Sequence, residues 1–237
     1  MPVLNLLYED HILVDEKIRI KIPTVGEILQ KEDDYYSVIS ILTAMPIDFM
    51  VQLDDLGIDF SQITEYELFL RLFPCLQTMD TSLVFDGMDL KNFQYAQDES
   101  GGSIVLVDRI NDIVIDKKIY LKIASILRSI HGIKRDIRTP ANKEARDYMV
   151  EIARRRQKRK RGRSEKSHLE IKIVALVNTE QFKYDFESTK GLTIYQFNES
   201  MKQIVKKIDY ENRMYGVYSG TIKVSDLNDS DLNWMIH

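Results

Sequence analysis

The side chains best able to engage another molecule are concentrated in RRRQKRKRGRSEK, residues 154–166, where nine Lys or Arg meet a single Glu for a local charge of +8. The whole chain sums to −4, so everything outside that block carries −12. A segment of this kind attracts polyanions or acidic protein faces and performs no reaction itself. Arg154, Arg155, Arg156, Lys158, Arg159, Lys160, Arg161 and Arg163 are therefore candidate partner-binding residues. Three readings stay open: a solvated tip, a dock for an acidic partner face, and contact with nucleic acid. Nucleic acid is the weakest of them. Nine cations neutralise phosphates readily and give a steep salt dependence, but the block has no aromatic to stack on bases.

A second candidate set is Phe182, Tyr184 and Phe186, which alternate with Lys183 and Asp185. In an extended segment they share one aromatic face, serving either as core packing or as an apolar patch for a partner. Tyr210, Tyr215, Tyr218 and Trp234 crowd the carboxyl end and admit the same two readings.

Reaction chemistry finds no foothold. The four histidines, His11, His131, His168 and His237, never fall at ligand spacing, and His131 reads as a cation at a helix end. Cys75, the single cysteine, excludes an internal disulfide and reads as a small buried hydrophobe beside Phe73 and Leu76. Asp33-Asp34 and Asp54-Asp55 read as helix-end solvation and caps, since two-metal chemistry needs several converging carboxylates. Glycine-rich phosphate loops, nucleophile elbows and zinc spacings do not occur. The expectation is a protein that is not an enzyme and takes no cofactor or metal.

The elements that must position the two candidate segments follow from period and punctuation. His11–Val14 and Lys17–Ile22 flank Asp15-Glu16 as a hairpin, with Ile18, Ile20 and Ile22 alternating with polar residues. Thr24-Val-Gly-Glu27 and Thr64-Glu-Tyr-Glu67 are capping boxes, the second for a helix ending at Phe73 before Pro74. Helices are predicted over Tyr35–Ala44 and Ile47–Leu56, the latter led by Pro46 and stopped by Gly57. Ser82–Phe85 reads as a strand and Leu90–Gln94 as a helical turn. Ser103–Val107 and Ile113–Ile115 read as a second hairpin. Asp116 caps a helix to His131 that Gly132 stops. Thr139-Pro140 launches a helix from Ala141 whose apolar face ends near Ala153, leaving an exposed tip over 155–166. Ser167 starts another helix, and a long one runs over Thr193–Tyr215. Thr221–Val224 reads as extended and Asn228–Met235 as a short helix.

The sequence thus predicts an α+β, mainly helical protein with amino-terminal and central hairpins and a carboxyl-terminal helical bundle. Residues 1–136 form the α+β region and 137–237 the helical region with its basic tip at 154–166, the two being compatible with one compact domain. At 237 residues, 44% apolar and 30% charged, the chain can bury a substantial core. Its longest apolar runs, such as Ile104–Val107, are too short to span a bilayer. The amino terminus lacks a charged region before Glu9 and Asp10, so no secretory signal is expected, and with one cysteine a reducing cytosol is.

Three stretches carry a resemblance. IPTVGEILQKEDDYYSVISILTAMPIDFMVQLDDLGIDFSQITEYELFLRLFP, ALVNTEQFKYDFESTKGLTIYQFNESMKQIVKKID and MYGVYSGTIKVSDLNDSDLNWM resemble proteins from the tail-morphogenesis genes of tailed bacteriophages and prophages of Gram-positive bacteria. The likeness runs from about Lys17 to His237. It implies a tail assembly chaperone that binds the tape measure protein while tube subunits polymerise around it, in the cytoplasm of the infected host. A structural place in the distal tail or baseplate of the virion is the alternative. Tape measure or tail tube proteins are the implied partners; oligomeric state is left open.

Overall fold

The computed structural model describes residues 5–98, 101–160 and 167–235, with the side chains of Lys160 and Ser230 also outside the description. Strands β1 (His11–Leu13) and β2 (Arg19–Lys21) pair antiparallel with His11 opposite Lys21. Their turn is set by Asp15, whose carboxylate accepts from the Lys17 and Ile18 amides at 2.8 and 2.7 Å. Ile18, Ile20 and Ile22 all point into the core. Helices α1 (Val25–Leu29) and α2 (Glu32–Leu42) follow, then a 3-10 turn at Pro46–Phe49 that leads into α3 (Met50–Asp55). Helix α4 (Glu65–Leu76) opens on the predicted Thr64–Glu67 box. A 3-10 turn at Leu90–Asn92 precedes a three-stranded antiparallel sheet, β3 (Gln94–Gln97), β4 (Ile104–Asp108) and β5 (Ile113–Ile115), in that order.

Helix α5 (Lys117–His131) is the organising element. Asp116 accepts from the Ile119 amide at 2.7 Å, and Gly132 ends the helix at φ 63°, a left-handed angle that glycine adopts without steric cost. Its Tyr120 ring stacks on Phe69 of α4 at 4.3 Å. Tyr66, also on α4, shares its hydroxyl between the carbonyls of Ile104 (2.9 Å) and Ile115 (3.1 Å), which ties the helix to β4 and the end of β5.

The last third contains α6 (Lys143–Lys160), α7 (His168–Val177), α8 (Phe186–Thr189) and α9 (Ile194–Tyr218). Two joints hold it to the first part. Glu32 of α2 accepts from the Ser167 hydroxyl at 2.5 Å and the Leu169 amide at 3.0 Å, adding a distant carboxylate to the start of α7. Thr24 and Thr193, the caps of α1 and α9, pair backbone to backbone, with Val25 N donating to Leu192 O (2.8 Å) and Ile194 N to Pro23 O (2.9 Å). One continuous core therefore runs from Leu6 to Phe197, and a smaller cluster seats Val150 of α6 beside Leu53 and Phe60.

The architecture is the predicted α+β, mainly helical one, and several local expectations are corrected. Helix α4 continues through Pro74 to Leu76. Proline cannot donate to the Leu70 carbonyl, and the Tyr95 hydroxyl of β3 does so instead at 2.7 Å. Cys75 is exposed rather than buried, because it falls off the inward stripe of Phe73 and Leu76. Ser82–Phe85 is a turn, not a strand: the Asp80 carboxylate accepts from Ser82 N at 3.0 Å, and only Phe85 bridges to Ile20. The predicted Leu90–Gln94 helical turn is present as the 3-10 turn at Leu90–Asn92, and strand β3, which starts at Gln94, has no counterpart in the sequence reading. Helix α6 begins at Lys143, where Asn142 accepts from Ala145 N at 2.8 Å, and stays helical to Lys160 instead of opening into a tip at Arg155. The Glu151–Arg155 pair (2.6 Å) and the fit of cations to a helix carboxyl end support those extra turns. After α9, Thr221–Val224 is bent, and Asn228–Met235 forms just one 3-10 turn at Asp229–Asp231. Asp231 there accepts from Asn228 N at 3.0 Å, the local capture by a short carboxylate that competes with helix.

Candidate interaction surfaces

Helix α6 leans on α3 with one side and gives the other to solvent. Arg146 donates to Asp59 at 2.9 Å, Val150 is buried, and one turn later Arg154 reaches Asp54 (2.8 Å) and Asp55 (2.5 Å). The Asp54-Asp55 pair, at the unfavourable carboxyl end of α3, thus has a specific basic partner rather than water alone. Arg154 is committed inside the chain, and Arg155 to Glu151 on its own helix. Arg156, Lys158 and Arg159 are exposed and form no ion pair among the described residues. Lys160 closes the helix, while Arg161 and Arg163 lie outside the described residues. Among the described residues, the available part of the basic segment is therefore the last turns of one helix.

The aromatic segment is divided by the fold. Phe182 is 7% exposed and packs edge-on to Phe197 of α9 at 6.4 Å. Tyr184, whose ring lies 5.3 Å from that of Phe182, is 42% exposed and Phe186 52%. The expected common aromatic face on one extended segment does not form, because Asp185 accepts from Ser188 N at 2.7 Å and turns Phe186 into the start of α8. One ring anchors the segment, and two are presented. Beside them in sequence, α7 buries Leu169, Ile173 and Leu176 and leaves Ile171 and Val174 in solvent.

A third feature escapes sequence patterning. Arg128 lies on the inward face of α5 and donates to Thr43 O at 2.8 Å and to Glu65 at 2.9 Å, both charged side chains being buried. Arg135 takes the other oxygen of the same carboxylate. Both oxygens of the Glu65 carboxylate are thus engaged by guanidinium groups. Glu65 and Arg135 border a cavity of about 380 Å³, walled by Met45, Ile47, Phe60, Ile63, Leu121 and Ile137. Burial pushes the nearby Tyr120 hydroxyl well above the ordinary phenol range, and that hydroxyl has no hydrogen-bond partner among the described residues. The readable signal was Arg128 inside the apolar stripe of α5, a position that demands a buried anion.

His131 is not the helix-end cation that its position suggests. Burial, reinforced by Lys172, lowers its pKa to about 4, and its Nε2 lies 2.9 Å from the Tyr35 hydroxyl. The ring is neutral at pH 7. Among the described residues, no three His, Cys, Asp or Glu side chains converge as a metal site, and no single helix is long and apolar enough to cross a membrane.

Residues 158–237, about a third of the chain, match the family model described as the YomV second domain. The chain is similar to that family over α7, α8, α9 and the segment after it, and this supports a phage-related protein without reaching a role in tails. No curated protein and no solved structure matches the chain.

Proposed function

We propose that this phage-related protein is not an enzyme and serves tail assembly in the host cytoplasm, as a chaperone that holds the tape measure protein. The resemblance of the three stretches quoted above supplies the context, and the match at residues 158–237 is consistent with it. The observation that carries the reading is α7. Seven of its ten residues are apolar, in HLEIKIVALV, yet the fold covers one side only. A helix apolar on two faces has a use for two partners, and the described residues supply one. Ile171, Val174, Tyr184 and Phe186 then offer apolar area to a helical client, while the exposed charges of α6 keep the complex in solution or grip acidic client residues.

Mass spectrometry of purified virions beside infected-cell lysate tests this. A chaperone is abundant in lysate, co-purifies with tape measure protein and is missing from particles. A fixed copy number per particle would overturn the reading in favour of a distal tail or baseplate component.

A further inference from the structure

The cavity beside Glu65 is lined by four separate stretches of chain: residues 45–47, residues 60–66, the first turns of α5, and the segment 135–140 between α5 and α6. At about 380 Å³ it lies within the range of small-molecule pockets, roughly 300–1,000 Å³. Met45, Ile47, Phe60, Ile63 and Leu121 make its walls mostly apolar. Ile137 also lines it and is 73% exposed, an apolar side chain that the fold does not cover.

The charged groups around this apolar space are unbalanced. Its two carboxylates, Glu65 and Asp136, are both engaged already. Arg128, behind Glu65, and Arg135 hold the first, and Arg138 holds the second through Nε at 2.8 Å. Lys117 lines the cavity too, and its ammonium forms no ion pair or hydrogen bond among the described residues. Four cations thus meet two carboxylates, and two positive charges are left over. Arg135 has donors to spare: Nη2 meets Glu65, while Nε and Nη1 form no hydrogen bond among the described residues. Since Arg128 fixes the other oxygen of Glu65, the Arg135 guanidinium is tethered at the cavity instead of moving freely in solvent, which lowers the entropy cost of binding. A neutral apolar ligand would leave these cations unused. A bare inorganic anion would leave the apolar walls uncovered.

We propose that this cavity binds a small amphipathic carboxylate, with its hydrocarbon body against the apolar walls and its carboxylate at Arg135 and Lys117. The site lies within residues 45–140, outside the stretch that matches the family model, and does not depend on the assembly reading.

Calorimetric titration of the full chain with octanoate and decanoate at neutral pH tests this. Both should bind, decanoate roughly tenfold tighter for its two additional methylenes. Octanol should bind roughly tenfold more weakly than octanoate, because it forgoes the charge-assisted hydrogen bonds. Lys117→Gln, at an exposed position, and Arg135→Gln, which leaves Glu65 paired with Arg128, should each weaken decanoate several-fold and leave octanol unchanged. Absence of decanoate binding, equal affinity for octanoate and octanol, or unaltered decanoate binding in Lys117→Gln would overturn the proposal. A peptide with a carboxyl-terminal leucine serves as a further probe: if it binds in a Lys117-dependent way and decanoate does not, the occupant is a polypeptide end and the small-molecule assignment falls. The titrations contain no phage protein, so their failure leaves the virion experiment to decide the assembly reading by itself.

Discussion

Helices α5 and α9 have the same kind of sequence and opposite situations. Both open on a side-chain cap and both repeat apolar residues at helical spacing. Helix α5 has 15 residues, of which seven are buried, including a charged one; α9 has 25, of which only Ile194 and Phe197 are. The contrast lies in what surrounds them. Helix α5 meets α2, α4, α9, β2 and β5, whereas α9 meets the core near its amino end and then runs past it, with Tyr215 and Tyr218 at 73% and 83% exposure. An amphipathic stripe states that a helix wants a partner, not that the same chain provides it. In α5 the stripe specifies the fold; in the outer part of α9 it stays largely in solvent.

Substitutions at the two helices separate these roles, and the largest effect belongs to α5. Arg128→Met should lower unfolding free energy by about 3–5 kcal/mol in urea titrations, since the buried Glu65 then keeps only the half-exposed Arg135. Next comes pH at the end of the same helix. His131 has a folded pKa of about 4 against an ordinary 6.5, so the unfolded chain binds the extra proton between those values. The resulting penalty is absent above pH 6.5, grows as pH falls, and reaches roughly 3 kcal/mol below pH 4. Comparing wild type with His131→Gln across that window isolates it from the carboxylates, and identical pH profiles would refute the neutral buried ring. Thr193→Ala should cost about 1 kcal/mol, the usual value of a helix cap, in thermal melts. Smallest of all, Val205→Ala, on the exposed part of α9, should stay within about 0.5 kcal/mol. A large loss there would mean that the outer half of α9 is part of the folding unit after all.

Much of this was legible in residue order. Capping boxes at Thr24 and Thr64, the Asp116 cap and the Gly132 stop fix element ends through groups within a few residues of each other, so local chemistry was sufficient. The readings that failed depended on distant groups. Pro74 is tolerated because Tyr95, 21 positions later by subtraction, supplies the hydrogen bond that proline denies to Leu70. The basic segment was visible as composition, but the assignment of Arg154 to Asp54 and Asp55 required α3 and α6 to be side by side. The aromatic triplet suggested one face, and the fold gave Phe182 to the core and the other two to solvent.

What the sequence alone determined is the class of protein: α+β and mainly helical, with hairpins and helix limits set by short-range hydrogen bonds and period. What only the tertiary structure decided is which of its apolar and charged side chains are already occupied. Burial and ion pairing are properties of neighbours brought together across the chain, and no count of residues in one segment contains the identity of those neighbours.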